Sequence, residues 1–276
     1  MKYIAHVSQD KRIHFLNDHL NETAKLSMNF AAKFGAAQWG YLAGLWHDLG
    51  KYNHEFQSKI MIESGLIKST IGSASKVNHS TAGALWAIEK LGSAGRIFAY
   101  LIAGHHAGLP DWHADETGNA ALSIRLKDSM HLDVLPKDKI PHSILNKDLP
   151  SERPCKGSDP AIWIRMLFSC LVDADFLDTE SFMDKKNSDL RGNYPELALL
   201  LERFTQYMEF NYSIKADGRQ INRIRADILK CCIERAKDEP GAYTLSVPTG
   251  GGKTLSSMAF ALNHALHYQK QRIIYV

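Results

Sequence analysis

The chain has 276 residues, 45% apolar and 23% charged, with a net charge of +3; this suits a globular protein of one large or two smaller domains, and neither marks nor excludes a nucleic-acid groove. No segment reaches the ~18 apolar residues of a membrane span, and the opening MKYIAHVSQDKR has no apolar run of signal-peptide length. Cys155, Cys170, Cys231 and Cys232 form no CxxC pair, which argues against a zinc ribbon or disulfide framework and for a reducing, cytoplasmic compartment without a membrane.

Most of the chain up to about residue 105 reads as helix. HLNETAKLSMNFAAKFG, from His19, places Leu20, Ala24, Met28 and Ala31 on one face and stops at Gly35. AQWGYLAGLWHDLG carries Leu42, Leu45, Trp46 and Leu49 as a buried stripe, includes His47 and Asp48, and stops at Gly50. A charged residue inside such a stripe requires a partner or a metal. STAGALWAIEKLG begins at an N-cap, Ser80 or Thr81, and ends at Gly92. RIFAYLIAGHHAG is an apolar helix running into His105 and His106. Residues 107–160, rich in Pro, Asp and Lys, read as loops with short helices. AIWIRMLFSCLVDADFLDTESFM follows as a long apolar helix with carboxylates in its C-terminal half, and PELALLLERFTQYMEF as an amphipathic one. A polar helical stretch from residue 211 leads into TLSVPTGGGKTLSSMAFALNHALHYQKQRIIYV, which reads as strand, glycine loop, helix, strand. The expected fold is thus a mostly α-helical domain over residues 1–210, a helical connector over 211–240, and the start of an α/β domain over 241–276.

The chemistry gathers in histidines and aspartates. His19, His47, Asp48, His79, His105, His106 and an aspartate of LVDADFLDTE each lie on or beside an apolar helix. Imidazole and carboxylate together suit Mn, Fe, Co, Ni or Zn better than the all-oxygen sites of Mg and Ca. His47 and Asp48, neighbours on a helix, point ~100° apart, so they cannot both chelate along one axis. The carboxylate can instead bridge two metals while the histidine takes one, and two metals can hold the attacking and leaving oxygens of a phosphoryl displacement. Taken singly, each residue has a plainer reading: Asp173, Asp175 and Asp178 could form an exposed acidic face, and His105–His106 a solvated helix end.

The ordered set resembles the HD superfamily of metal-dependent phosphohydrolases. It looks most like the nuclease domain of the CRISPR type I nuclease–helicases, on His19 in HLNETA, HDLGK at 47–51, NHS at 78–80, AGHHAG at 103–108 and SCLVDADFLDTE at 169–180. The resemblance implies an HD-type domain with two divalent ions (Mn, Fe, Co or Ni, with Mg or Zn possible). Asp48, His79, His105 and His106 would hold one. His19, His47, Asp48 and Asp175 would hold the other, Asp173 being the rival for the last place. It implies cleavage of single-stranded DNA, antiviral defence, and recruitment by an RNA-guided type I surveillance complex. Lys51, one turn past His47, could touch a substrate phosphate or be a solvated lysine. Two other functions share the pattern: hydrolysis of nucleotides or cyclic nucleotides, and a catalytically weak docking module.

SVPTGGGKT departs from the Walker A pattern, with Val247 where a glycine is usual, but resembles the PTGxGKT of superfamily-two helicases. Backbone N–H groups of Gly250, Gly251, Gly252 and Lys253 would cradle phosphates. Lys253 would reach the β and γ phosphates and Thr254 would bind Mg²⁺. ATP and Mg²⁺ are expected only in a full-length helicase, and ATPase or helicase activity is not expected of these 276 residues.

Overall fold

The computed structural model describes residues 2–68, 78–113, 118–152, 160–192, 194–213 and 220–276. Cys155 and the beginning of the expected polar helix after residue 213 lie outside the described residues. The chain divides into two compact units, Met1–Leu190 and Arg191–Val276.

The first unit opens with a hairpin that the helical reading missed. Strands β1 (Ile4–Val7) and β2 (Ile13–Phe15) pair antiparallel, with His6 opposite His14. Ser8 and Arg12 close the turn, and Lys11 takes the left-handed conformation at φ 67°. Four- and three-residue strands with two histidines carry too little alternation to be seen in advance. The exposed edge of β1 is satisfied by buried Gln57, whose side chain bonds both the N–H and the carbonyl of Ile4 at 2.9 Å.

Helices α1 (Leu16–Ala31) and α2 (Ala37–Trp46) build the core with α4 (Ser80–Leu91), α5 (Gly95–Gly104) and α6 (Pro160–Met183), whereas α3 (His54–Glu63) lies beside β1 and buries Gln57. Single helical turns at Leu122–Arg125, Met130–Asp133 and His142–Leu145 interrupt the long connection before α6. α1 packs on α2 and α6, and α4 on α5. α1 and α2 approach so closely that a Cβ on Gly44 would stand 2.7 Å from Ala24 Cα. Trp39, Phe98 and Trp163 meet where α2, α5 and α6 converge, with Trp39 and Phe98 stacked at 5.0 Å. The Trp46 indole donates to the Ile144 carbonyl at 2.8 Å.

Two boundaries differ from expectation. α2 ends at Trp46 instead of running through Asp48: Asp48 leaves the helical region at φ −113°, ψ 23°, and Leu49–Tyr52 form a 3₁₀ turn. The cap of α4 is not the Ser80 or Thr81 side chain. Asn78 Oδ1 accepts from Thr81 N–H at 3.2 Å, because the hydroxyls of Ser80 and Thr81 are taken by the Arg125 guanidinium at 2.9 and 3.1 Å.

In the second unit, α7 (Leu197–Met208) and α8 (Gln220–Arg235) pack on α9 (Lys253–His267). That packing draws α7 into this unit, so the division falls ahead of the boundary expected at residue 210. The two strands expected to flank the glycine loop are not formed among the described residues. A strand requires a neighbour to satisfy its backbone, and Ile274, Tyr275 and Val276 are exposed instead.

Replacing Gly44 with alanine should lower stability by roughly 1–3 kcal/mol through overpacking. Thermal unfolding of the variant against wild type measures it.

Candidate metal centre

Five segments deliver the site, three of them at helix ends. His19 lies on the buried face of α1, and His47 and Asp48 form the turn after α2. His79 immediately precedes α4, His105 and His106 immediately follow α5, and Asp175 projects from α6. The 3₁₀ turn after Asp48 is pressed against the segment carrying His79: a Cβ on Gly50 would fall 2.0 Å from the His79 carbonyl oxygen. Only glycine fits between them.

The sequence-predicted residues converge in two groups that share Asp48. Asp48 Oδ1 lies 3.5 Å from His79 Nε2 and 3.4 Å from His105 Nε2, and His79 Nε2 lies 2.8 Å from His106 Nε2. Asp48 Oδ2 lies 3.4 Å from His19 Nε2 and 3.3 Å from His47 Nε2. Asp175 Oδ1 stands 3.4 Å from His19 and 3.6 Å from His47. Asp48, His79, His105 and His106 form the outer group, and His19, His47 and Asp175 the inner one, each compact enough to hold a metal ion. Donors ~2.1 Å from one shared ion stand roughly 3.0–3.5 Å apart, so the observed spacings fit. Asp173 faces solvent, as the helical offset from Asp175 requires.

The protons point outward. His47 Nδ1 bonds the Gly44 carbonyl and His105 Nδ1 the Ile102 carbonyl, both at 2.7 Å. Each acceptor is the carbonyl three residues back, one of those a helix end leaves without an intrahelical partner. His19 Nδ1 bonds Asp178 Oδ2 at 2.6 Å. Assigning the first proton of each ring to these acceptors turns each Nε2 towards Asp48, where it can give a lone pair to a cation once it carries no second proton. Neither Asp48 oxygen has a hydrogen-bond partner, nor does His105 Nε2. Lys51 Nζ forms an ion pair with Asp48 Oδ2 at 2.7 Å. Lys51 is therefore neither a solvated lysine nor free to reach outward: it is 4% exposed and committed to Asp48. Imidazole Nε2 atoms converging on a buried carboxylate are an arrangement that a cation resolves.

Electrostatics without a cation follow from the same packing. Burial opposes charge on His47, but the Asp48 and Asp175 carboxylates outweigh it and lift His47 to about 10. Burial alone would raise Asp48, but Lys51 and His47 hold it well below the usual carboxylate range. Burial pushes His79 down to about 4, and burial together with His105 does the same to His106. His106 and the half-buried His79 form the exposed edge; His19, His47 and Asp48 have no exposed surface.

Three neighbours were not foreseen: His6, His14 and the role of Asp178. His6 Nε2 lies 3.3 Å from Lys51 Nζ, and burial, then Lys51, lowers its pKa to about 2. His14 Nε2 is 3.7 Å from Asp178 Oδ2, and its ring stacks on Phe182. Asp178 had one available signal, its position three residues after Asp175 on the same helix face. His6 and His14 had none, because their placement depends on the hairpin. A cleft of about 300 Å³ lined by His6, Val7, Ile60, Glu63, Ser64 and Met183 contains none of the predicted donors.

The glycine-loop residues lie in the second unit. Gly250 and Gly252 adopt φ of 84° and 86°, Arg225 Nε donates to the Gly250 carbonyl at 2.9 Å, and Lys253 and Thr254 are exposed in the first turn of α9.

The shifts fix a pH profile for the metal-free protein. His6, His79 and His106 take up protons more readily unfolded than folded, so stability rises from about pH 4 to 6.5. His47 holds its proton more tightly folded, so its contribution is full below pH 6.5 and is lost towards pH 10. In chelator, denaturant midpoints should therefore peak near pH 6.5, and replacing His47 with Gln should flatten the alkaline limb.

No helix among the described residues is long and apolar enough to cross a membrane. No curated protein matches the chain. The family model described as "Cas3, HD domain" matches residues 8–149, just over half of the chain, a span that includes His19, His47, Asp48, His79, His105 and His106. With the site geometry beside that match, the chain belongs to the Cas3 HD-domain family of CRISPR-associated HD phosphohydrolases and nucleases.

Proposed function

We propose that the first unit is a two-metal nuclease cleaving single-stranded DNA. The observation that carries this reading is the division of labour at Asp48: one carboxylate oxygen faces each histidine group. His79, His105 and His106 would hold the outer ion, and His19, His47 and Asp175 the inner one, with Asp48 between them. The imidazole and carboxylate donors favour Mn, Fe, Co or Ni. Ions in such a pair supply Lewis acidity to the attacking and leaving oxygens of a phosphodiester.

The residues of the chain do the rest. Lys51 balances the charge of Asp48 and holds its carboxylate. The Gly44 and Ile102 carbonyls fix the orientation of His47 and His105. The inner group is buried, with Asp175 7% exposed, and substrate would approach at the His79–His106 edge. An open edge suits a polymer backbone. Within the CRISPR context of the family, an RNA-guided surveillance complex would present the displaced strand, with guide pairing supplying sequence choice. In the second unit, the exposed Lys253 and Thr254 beside two left-handed glycines support a phosphate cradle at residues 250–254.

The test is cleavage of circular single-stranded DNA with Mn²⁺, Fe²⁺, Co²⁺, Ni²⁺ or Mg²⁺ supplied in turn. Cutting is expected with at least one transition metal, and Asp48→Ala should remove both cutting and bound metal. Asp175→Asn should reduce the rate by at least about 10²-fold, whereas Asp173→Asn should leave it unchanged. Hydrolysis of nucleotides with no cutting of DNA by any metal would sink the proposal.

A further inference from the structure

We propose that Asp178 is a positioning residue that gives the inner group its own, separately tunable metal affinity; the inference rests on the metal reading of the cluster. Asp178 is 8% exposed, and its Oδ2 accepts from His19 Nδ1 at 2.6 Å, the length of a charge-assisted bond. The same oxygen is 3.7 Å from His14 Nε2. His14 is pinned by its stack on Phe182, with ring centroids 4.5 Å apart and planes 14° apart. The His14 ring thus walls off the far side of the carboxylate.

Among the described residues, the other inward-facing rings have weaker support. His47 and His105 are held by neutral backbone carbonyls, and His79 Nδ1 is buried without a partner. A carboxylate behind an imidazole fixes its tautomer and raises its basicity more than a carbonyl does. Asp175 and Asp178 sit one turn apart on α6, so one helix brings both an inner donor and the holder of another. The outer group takes nothing from α6. Loss of the Asp178 charge should therefore weaken one ion and spare the other, which a general loss of packing would not do.

The experiment titrates metal-free full chain with Mn²⁺ by calorimetry and with Co²⁺ by absorption. Wild type should take up two ions. Asp178→Asn keeps the shape and an acceptor but removes the charge. It should bind the inner ion roughly 10–100-fold more weakly, with the outer ion within twofold of wild type. His105→Ala should show the reverse pattern. Asp178→Glu, which keeps the charge, should recover the inner affinity to within several-fold. Unchanged binding of both ions in Asp178→Asn, equal weakening of both, or equal behaviour of the Asn and Glu variants would overturn the role of Asp178 alone. A wild type that takes up neither metal would overturn the metal reading as well.

Discussion

Asp48 is a carboxylate with no exposed surface and no hydrogen bond to either oxygen. An isolated charge in that position would cost many kcal/mol, so the surrounding residues must compensate it. Lys51 supplies one positive charge at 2.7 Å. His47, when no cation is present, keeps a proton and supplies another. Asp175 and Asp178 add two further carboxylates to the same region, so these two positive charges do not balance the cluster. The excess negative charge, enclosed by imidazole nitrogens, defines what the fold is built to receive.

The manner of enclosure is as informative as the charge. His47 and His105 follow the last residue of a helix almost immediately, and each ring turns back to a carbonyl three residues earlier. A histidine in mid-helix would find those carbonyls already bonded. Helix ends therefore provide what a metal-facing imidazole requires: an acceptor for one nitrogen and a free direction for the other. His19, in the first half of α1, has no such carbonyl and uses the Asp178 carboxylate, 159 residues away in sequence. Close packing then fixes the distances. Gly50 lets the Asp48 turn rest against the His79 backbone, and Gly44 lets α1 bring His19 alongside.

Much of this was legible in advance, for physical reasons. The stripe Leu42–Leu45–Trp46 and the apolar runs of α5 and α6 announce helices through their spacing, and a His-Asp pair ending such a stripe announces a need for compensation. What could not be read is where α2 stops. The unwinding at Asp48 depends on its surroundings, and it lets His47 and Asp48 face one cluster despite their helical offset. The hairpin was invisible because its strands are short and satisfied by Gln57, a residue from α3. Lys51 was misread because its burial follows from the β1 residues Ala5 and His6 lying over it. The expected strands beside the glycine loop failed for the complementary reason: local propensity was present, and among the described residues no neighbouring strand was.

The order of the donors along the chain also sets an order in time. All four outer donors have been made by residue 106, whereas the inner group waits for Asp175, and the support behind His19 for Asp178. At roughly 5–20 residues per second of synthesis, several seconds separate the two. During that interval the nascent chain has the outer donors but not Asp175 or Asp178. Without α6 the inner group lacks Asp175 and His19 lacks the carboxylate behind it. The helix that closes the core of the first unit is thus also the one that completes its inner group.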